Sequence, residues 1–131
     1  MNSQFLISAT TSGSGKTTVT LGLLRALKNR NLKTQPYKCG PDYIDTKYHD
    51  LASGNKSINL DLFLSSEDHV KSIFAKHGFD KDVRVTEGVM GLFGGYDRMA
   101  GSSANIAELI GMPVIMDINA KSMAYSAAAL L

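Results

Sequence analysis

Residues Ala9-Thr10-Thr11-Ser12-Gly13-Ser14-Gly15-Lys16-Thr17-Thr18 combine small residues, one lysine and several hydroxyls in an order that suits phosphate. Gly13 and Gly15 let backbone amides approach phosphate oxygens closely. Lys16 is spaced to reach β- and γ-phosphates, and the Thr17 hydroxyl to bind Mg²⁺. Thr11, Ser12, Ser14 and Thr18 complete the cradle. The common pattern has a glycine five residues before Gly15, where this chain has Thr10, so the strict pattern is not met. The competing reading is a glycine-rich helix cap with a solvent-exposed Lys16. The loop binds phosphate only if a strand precedes it and a helix follows, because the helix N-terminus supplies part of the field.

The flanking sequence meets that condition. Phe5 to Ala9 is a short apolar run that reads as a buried parallel strand. Thr17 to Asn31 reads as a helix with Val19, Leu23, Leu24, Ala26 and Leu27 as its apolar stripe. Thr34 to Cys39 is a second strand, broken by Gly40-Pro41, and a short helix within 43–53 ends at Gly54. A helix starts at Ser65 or Ser66 with acids in its first turn, and Gly78 stops it. Asp82 to Glu87 is the next strand, with Val83 and Val85 on one face. A glycine-rich loop over 88–101 follows, then a helix from Ser102 to Ile110 ended by Gly111. Pro113 to Ile118 reads as a buried strand, and Ser122 to Leu131 begins another helix. Alternating strands and helices predict an α/β fold with a parallel sheet and right-handed crossovers. Chemistry in such sheets lies at the carboxyl ends of the strands, which is where the polar and glycine-rich loops fall.

Composition sets the outer limits. The chain has 131 residues, 44% hydrophobic and 20% charged, which fits one globular domain. A net charge of +2, spread along the chain, gives no field for a nucleic-acid partner. The single cysteine, Cys39, excludes an internal disulfide and fits a reducing cytoplasm. No apolar run approaches the roughly 20 residues of a membrane helix, and Met1-Asn2-Ser3-Gln4 lacks the basic start of a signal peptide.

Three further strings narrow the reading: Lys38-Cys39-Gly40-Pro41-Asp42-Tyr43-Ile44-Asp45 with Tyr48-His49, Asn59-Leu60-Asp61, and Glu87-Gly88-Val89-Met90-Gly91-Leu92-Phe93. Together with the loop, they resemble the ATP-binding domain of the cobyrinate a,c-diamide synthases along essentially the whole chain. That family is similar in its core to dethiobiotin synthetase. The resemblance therefore implies a P-loop NTPase-type sheet flanked by helices. It implies ATP-dependent phosphorylation of a substrate carboxylate, followed by displacement of the phosphate by nitrogen. In the family the nitrogen is ammonia from glutamine, released by a C-terminal class I amidotransferase domain with a cysteine nucleophile. Two acetate side chains of a corrin, a and c, become amides in cobalamin biosynthesis. A cobalt corrin, its metal-free ring and a nickel-containing relative are all compatible with the motifs.

Phosphoryl transfer to a carboxylate brings two anions together, so the site needs Mg²⁺ and lysines more than covalent chemistry. Mg²⁺ takes hard oxygen ligands, and Thr17 and Glu87 are the first candidates. Asp42 and Asp45 lie on the same rim; one or both complete the shell, Asp42 being the one assigned to the metal. Lys38 is a point charge for the γ-phosphate or the substrate carboxylate, beside Lys16 in the loop. Asp61 is a turn residue or a site residue. His49 is read as packed or exposed rather than as a ligand, and Cys39 as a small buried hydrophobe. Asp117 either aids metal or nucleotide or caps a helix. Gly88, Gly91, Gly94 and Gly95 let the backbone bend near substrate.

Two positions depart from the family pattern. Ala9 replaces a glycine, which a negative φ tolerates. Gly94 replaces an aspartate, with Asp97 three residues on. Two other functions compete. A dethiobiotin-type ligase using CO₂ is disfavoured by the Lys38–Asp45 string. A partitioning-type nucleotide switch carries a second loop lysine where this chain has Thr11. The motif order makes the chain the first part of a longer synthetase with an incomplete core and no amidotransferase half. The apolar helix at Ser122–Leu131 then needs a partner, the remaining chain or a second copy in a homodimer.

Overall fold

The computed structural model describes residues 3–130. Its elements are β1 (Ser3–Ala9), α1 (Lys16–Asn29), β2 (Thr34–Cys39), α2 (Asp45–Ser53), β3 (Ile58–Leu60), α3 (Glu67–Gly78), β4 (Val83–Glu87), α4 (Ser103–Ile110) and β5 (Val114–Asp117). A 3-10 turn over Ala124–Leu130 follows. All five strands are parallel, in the order β3-β2-β4-β1-β5. The expected α/β fold with helices flanking a parallel sheet is therefore present.

Period-two alternation sends neighbouring residues of each strand to opposite faces. Leu6 packs with Tyr37, Cys39, Val70, Phe74 and Ile106, on the face covered by α3 and α4. Ile7 packs with Val83, Val85, Leu24 and Ala52, on the face covered by α1 and α2. Both faces are covered, so the adjacent residues Leu6 and Ile7 of β1 are both buried. Tyr37 stacks on Phe74 at 4.6 Å between centroids, and its hydroxyl donates to the Phe74 carbonyl at 2.6 Å.

Several boundaries follow the predicted signals. Ser66 caps α3, its Oγ accepting from the His69 N–H. Gly54 and Gly111 end α2 and α4 in the left-handed conformation. Other details differ. Strand β3 is missing from the sequence reading because three residues offer no periodicity. Thr20, not Val19, faces the core from α1, its hydroxyl satisfied by the Lys16 carbonyl at 2.8 Å. Gly78 ends α3 through packing: a Cβ there would lie 2.1 Å from Arg84 Nε. β5 is an edge strand paired only with β1, so Val114 and Ile115 are exposed rather than buried. The expected helix over 122–131 is the 3-10 turn instead, and Leu131, like Met1 and Asn2, lies outside the described residues.

Cys39 is fully buried, and burial pushes its thiol up to about 12. At pH 8 the thiolate is then on the order of 10⁻⁴ of the total. Ellman's reagent is expected to find no reactive thiol in the folded chain and one after denaturation. Ready reaction in the folded state would contradict this packing.

Candidate active site

The chain leaves β1 toward β2 on one side and leaves β4 toward β5 on the other. The carboxyl ends of β1 and β4 are therefore the crevice where an α/β sheet binds ligands. The phosphate loop fills the β1 side. Gly15 has φ 94°, a left-handed angle that glycine adopts without strain, and α1 begins at the next residue. Ala9 is the last residue of β1 and is not among the positive-φ residues, so its methyl is tolerated there. Lys16 is buried and takes part in none of the ion pairs among the described residues. A buried, unpaired ammonium is costly until an anion arrives.

The β4 side supplies Glu87. The sheet register places it opposite both Ile7 of β1 and Lys38 of β2, so its side chain shares a face with Lys38 and α1. The Thr17 hydroxyl donates to Glu87 Oε1 at 2.5 Å, and Lys38 Nζ lies 3.6 Å from the same oxygen. Lys38 is 3% exposed, which rules out a free surface lysine. Its ammonium also donates to Asp45 Oδ2 at 3.0 Å and the Gly88 carbonyl at 3.1 Å, with Asp42 Oδ2 at 3.9 Å. Asp42 fills the turn role, its Oδ1 accepting from the N–H groups of Ile44 and Asp45 just before α2, and it is also near Lys38.

His49, expected to be packed or exposed, is packed. It is fully buried, with Nε2 2.5 Å from Glu87 Oε2 and Nδ1 3.0 Å from Ser57 Oγ. A carboxylate has no proton to give, so Nε2 carries one and donates. His49 thus holds one Glu87 oxygen while Thr17 and Lys38 engage the other. Burial alone would raise the Glu87 carboxyl. The His49 hydrogen bond, the Lys38 charge and the Thr17 hydroxyl outweigh it and leave the group below the usual glutamate range. Asp42 is likewise lowered: burial opposes, but the Asp45 and Ile44 N–H groups and Lys38 prevail.

Both depressed groups bind protons more readily in the unfolded chain. Their stabilisation is complete above the ordinary carboxylate range, about pH 4, and disappears as pH falls through the lowered folded values. Urea midpoints are expected to drop below about pH 4, and less steeply in Asp42→Asn, whose amide oxygen still accepts the turn hydrogen bonds. An equal slope in both proteins would contradict the assignment.

One lysine faces three carboxylates, Asp42, Asp45 and Glu87, leaving an excess of negative charge beside the Thr17 hydroxyl. That donor set fits a hard divalent cation. No group of three or more His, Cys, Asp or Glu among the described residues is gathered as a metal cage. A cation here would take a hydroxyl and a carboxylate from the chain and share phosphate oxygens and water.

The remaining candidates divide. Asp61 is a turn residue, its Oδ1 accepting from the Phe63 N–H. Asp97 lies in an exposed turn bridged to Ala100 and joins none of these side chains. No helix starts directly after Asp117, so it is no N-cap; its buried Oδ2 has no partner and lies 3.5 Å from where a Cβ on Gly15 would sit. Gly91 passes so close to the phosphate loop that a Cβ would lie 2.6 Å from the Thr10 carbonyl, and the Leu92 N–H donates to Ala9 at 2.9 Å. Thr11, Ser12 and Gly13 are exposed at the loop tip, with Thr11 Oγ1 3.1 Å from Ser14 Oγ.

Known proteins have similar sequences. The chain is 50% identical to the cobyrinate a,c-diamide synthase of Listeria monocytogenes serovar 1/2a over 131 residues, 98% of this chain and 29% of that protein. It is 47% identical to the enzyme of that name from Caldanaerobacter subterraneus over 128 residues, 97% of this chain and 28% of the relative. It is 44% identical to that of Methanocaldococcus jannaschii, over 96% of this chain and 29% of the relative. The chain therefore spans under a third of the length of these relatives. No helix among the described residues is long and apolar enough to cross a membrane. The family model of the CobQ/CobB/MinD/ParA nucleotide binding domain matches residues 5–129, which include the phosphate loop, Lys38, Asp42, Asp45, His49 and Glu87, and the chain belongs to that family.

Proposed function

We propose that this chain is the Mg-ATP-binding part of an amide-forming ligase that acts on the a and c acetate groups of cobyrinate or a related tetrapyrrole. The observation that carries the proposal is the buried Lys38 ammonium, held between Asp45, Asp42 and Glu87, with a second buried lysine, Lys16, that joins no ion pair among the described residues. The arrangement suits a site where a phosphate anion and a carboxylate anion must meet.

In this reading the amides of the loop from Thr11 to Thr18 cradle the phosphates and Lys16 holds the β- and γ-oxygens. Thr17 and Glu87, with Asp42, would hold Mg²⁺, which neutralises charge on the phosphates. His49 fixes the Glu87 carboxylate so that it does not rotate away from Thr17. Lys38, tethered by Asp45, offers its charge to the incoming acetate or to the γ-phosphate. A carboxylate oxygen of the substrate attacks the γ-phosphorus, the bond to ADP breaks, and an acyl phosphate forms. Ammonia then adds to the acyl carbon, inorganic phosphate leaves, and the nitrogen loses a proton to give the amide.

The ammonia would come from glutamine through a class I amidotransferase domain outside these residues. The inert, buried Cys39 supports placing that nucleophile elsewhere. Thr11 in the loop disfavours the partitioning-type switch as a second reading.

Hydroxylamine tests the reading, because it traps acyl phosphates as hydroxamates. The full-length protein with ATP, Mg²⁺, cobyrinate and hydroxylamine should yield ADP and cobyrinate hydroxamate together. ADP release with no hydroxamate, under conditions that otherwise give amide, would overturn the acyl-phosphate route.

A further inference from the structure

Beside the loop that carries Asp42 and Asp45 lies an apolar cavity of about 270 Å³, which the phosphate chemistry does not use. Pro41, Phe63, Val89, Met90 and Tyr96 supply most of its apolar wall. Phe63 and Tyr96 are 67% and 59% exposed, and their rings meet edge to face with centroids 5.2 Å apart. Large exposed aromatic rings beside an active site are costly in water unless something flat and apolar covers them.

Both rings are built into place. Asp61 Oδ1 accepts from the Phe63 N–H at 2.9 Å and turns that residue outward at the end of β3. Tyr96 sits on a hydrogen-bonded turn, with Gly95 N donating to Arg98 O and Tyr96 N to Ala100 O. Its ring lies against Gly101, where a Cβ would come within 2.4 Å of the ring edge. The shelf is also tied to the chemistry. Asn59 Nδ2 donates to the carbonyls of Gly40 and Asp42, fastening β3 to the loop that carries Asp42 and Asp45. Val89, in the cavity wall, directly follows Gly88, whose carbonyl accepts from Lys38 Nζ.

We infer that Phe63 and Tyr96 form a stacking shelf for one apolar edge of a tetrapyrrole macrocycle, holding it so that a pendant acetate reaches Lys38. This rests on the function proposed above, which supplies a flat apolar ring with carboxylates around its rim. The two parts divide the ligand: the aromatic pair meets the ring, and Lys38, one peptide unit beyond the cavity wall, meets the carboxylate once a bound cation offsets Asp42, Asp45 and Glu87. Asp61, which also lines the cavity, stays on the solvent side of the ring, held by the Phe63 N–H. A small carboxylate substrate would leave the aromatic pair uncovered.

Equilibrium titration of the full-length protein with cobyrinate, followed by its visible absorbance, tests the shelf; titration with Mg-ATP is the control. Stacking on an aromatic side chain is commonly worth one to a few kcal/mol. Phe63→Ala and Tyr96→Ala are each expected to weaken cobyrinate binding about tenfold. Phe63→Trp and Tyr96→Phe, which keep a flat ring, should stay within about twofold of the unsubstituted chain. ATP affinity should be unchanged in all four, which a general loss of structure would not allow. Cobyrinate affinity indifferent to both alanine substitutions overturns the shelf alone. An equal loss of ATP affinity overturns it too, by assigning the rings a structural role. Failure of the unsubstituted, ATP-binding full-length protein to bind cobyrinate contradicts the proposed function itself.

Discussion

Glu87→Gln is expected to lower ATP-dependent turnover of cobyrinate by about 10³-fold, the scale of losing one preorganised charged group from an active site. The substitution keeps the shape and removes one negative charge at the point where Thr17, Lys38 and His49 converge. It also leaves the buried Lys38 with less compensation, so stability should fall, by a few kcal/mol at most because Asp45 remains at 3.0 Å. Glu87→Asp separates the two effects. The shorter side chain retains the charge but cannot reach both Thr17 and His49, so it should fold well and still lose most activity. Steady-state turnover with thermal melting checks both variants. Activity within tenfold of the unsubstituted protein in a folded Glu87→Gln would remove Glu87 from the chemistry.

Lys16→Ala should weaken ATP binding about 100-fold, equivalent to about 2.7 kcal/mol. The fold should not suffer. Lys16 is buried without a carboxylate among the described ion pairs, so its removal leaves no counter-charge orphaned and relieves a desolvated ammonium. The melting temperature of the ligand-free variant is expected to hold or rise while ATP affinity collapses. A fluorescent-nucleotide titration alongside a melting curve gives both readouts. Affinity within threefold would mean the loop does not grip phosphate through this lysine.

Much of the site is written locally. The phosphate loop, Asp42 and Asp45 follow strands, Lys38 and Glu87 lie at the carboxyl ends of strands, and a parallel sheet delivers those ends to one rim, so their meeting is foreseeable from order alone. His49 is different, because its partner lies 38 residues away and the link exists only once α2 packs over β2 and β2 pairs with β4. A weak signal was present: Asp45 and His49 are four apart on a predicted helix and so share a face. Edge and centre are equally hidden in an apolar run, since the sequence of β5 resembles a buried strand while strand order leaves it at the edge.

The most direct test of carboxylate activation follows an oxygen atom. Cobyrinate labelled with ¹⁸O in its carboxylates is turned over by the full-length protein with unlabelled ATP, Mg²⁺ and ammonia. Attack of a carboxylate oxygen on the γ-phosphorus predicts one ¹⁸O in the inorganic phosphate for each amide formed. Inorganic phosphate free of ¹⁸O, with amide still produced, would contradict the account.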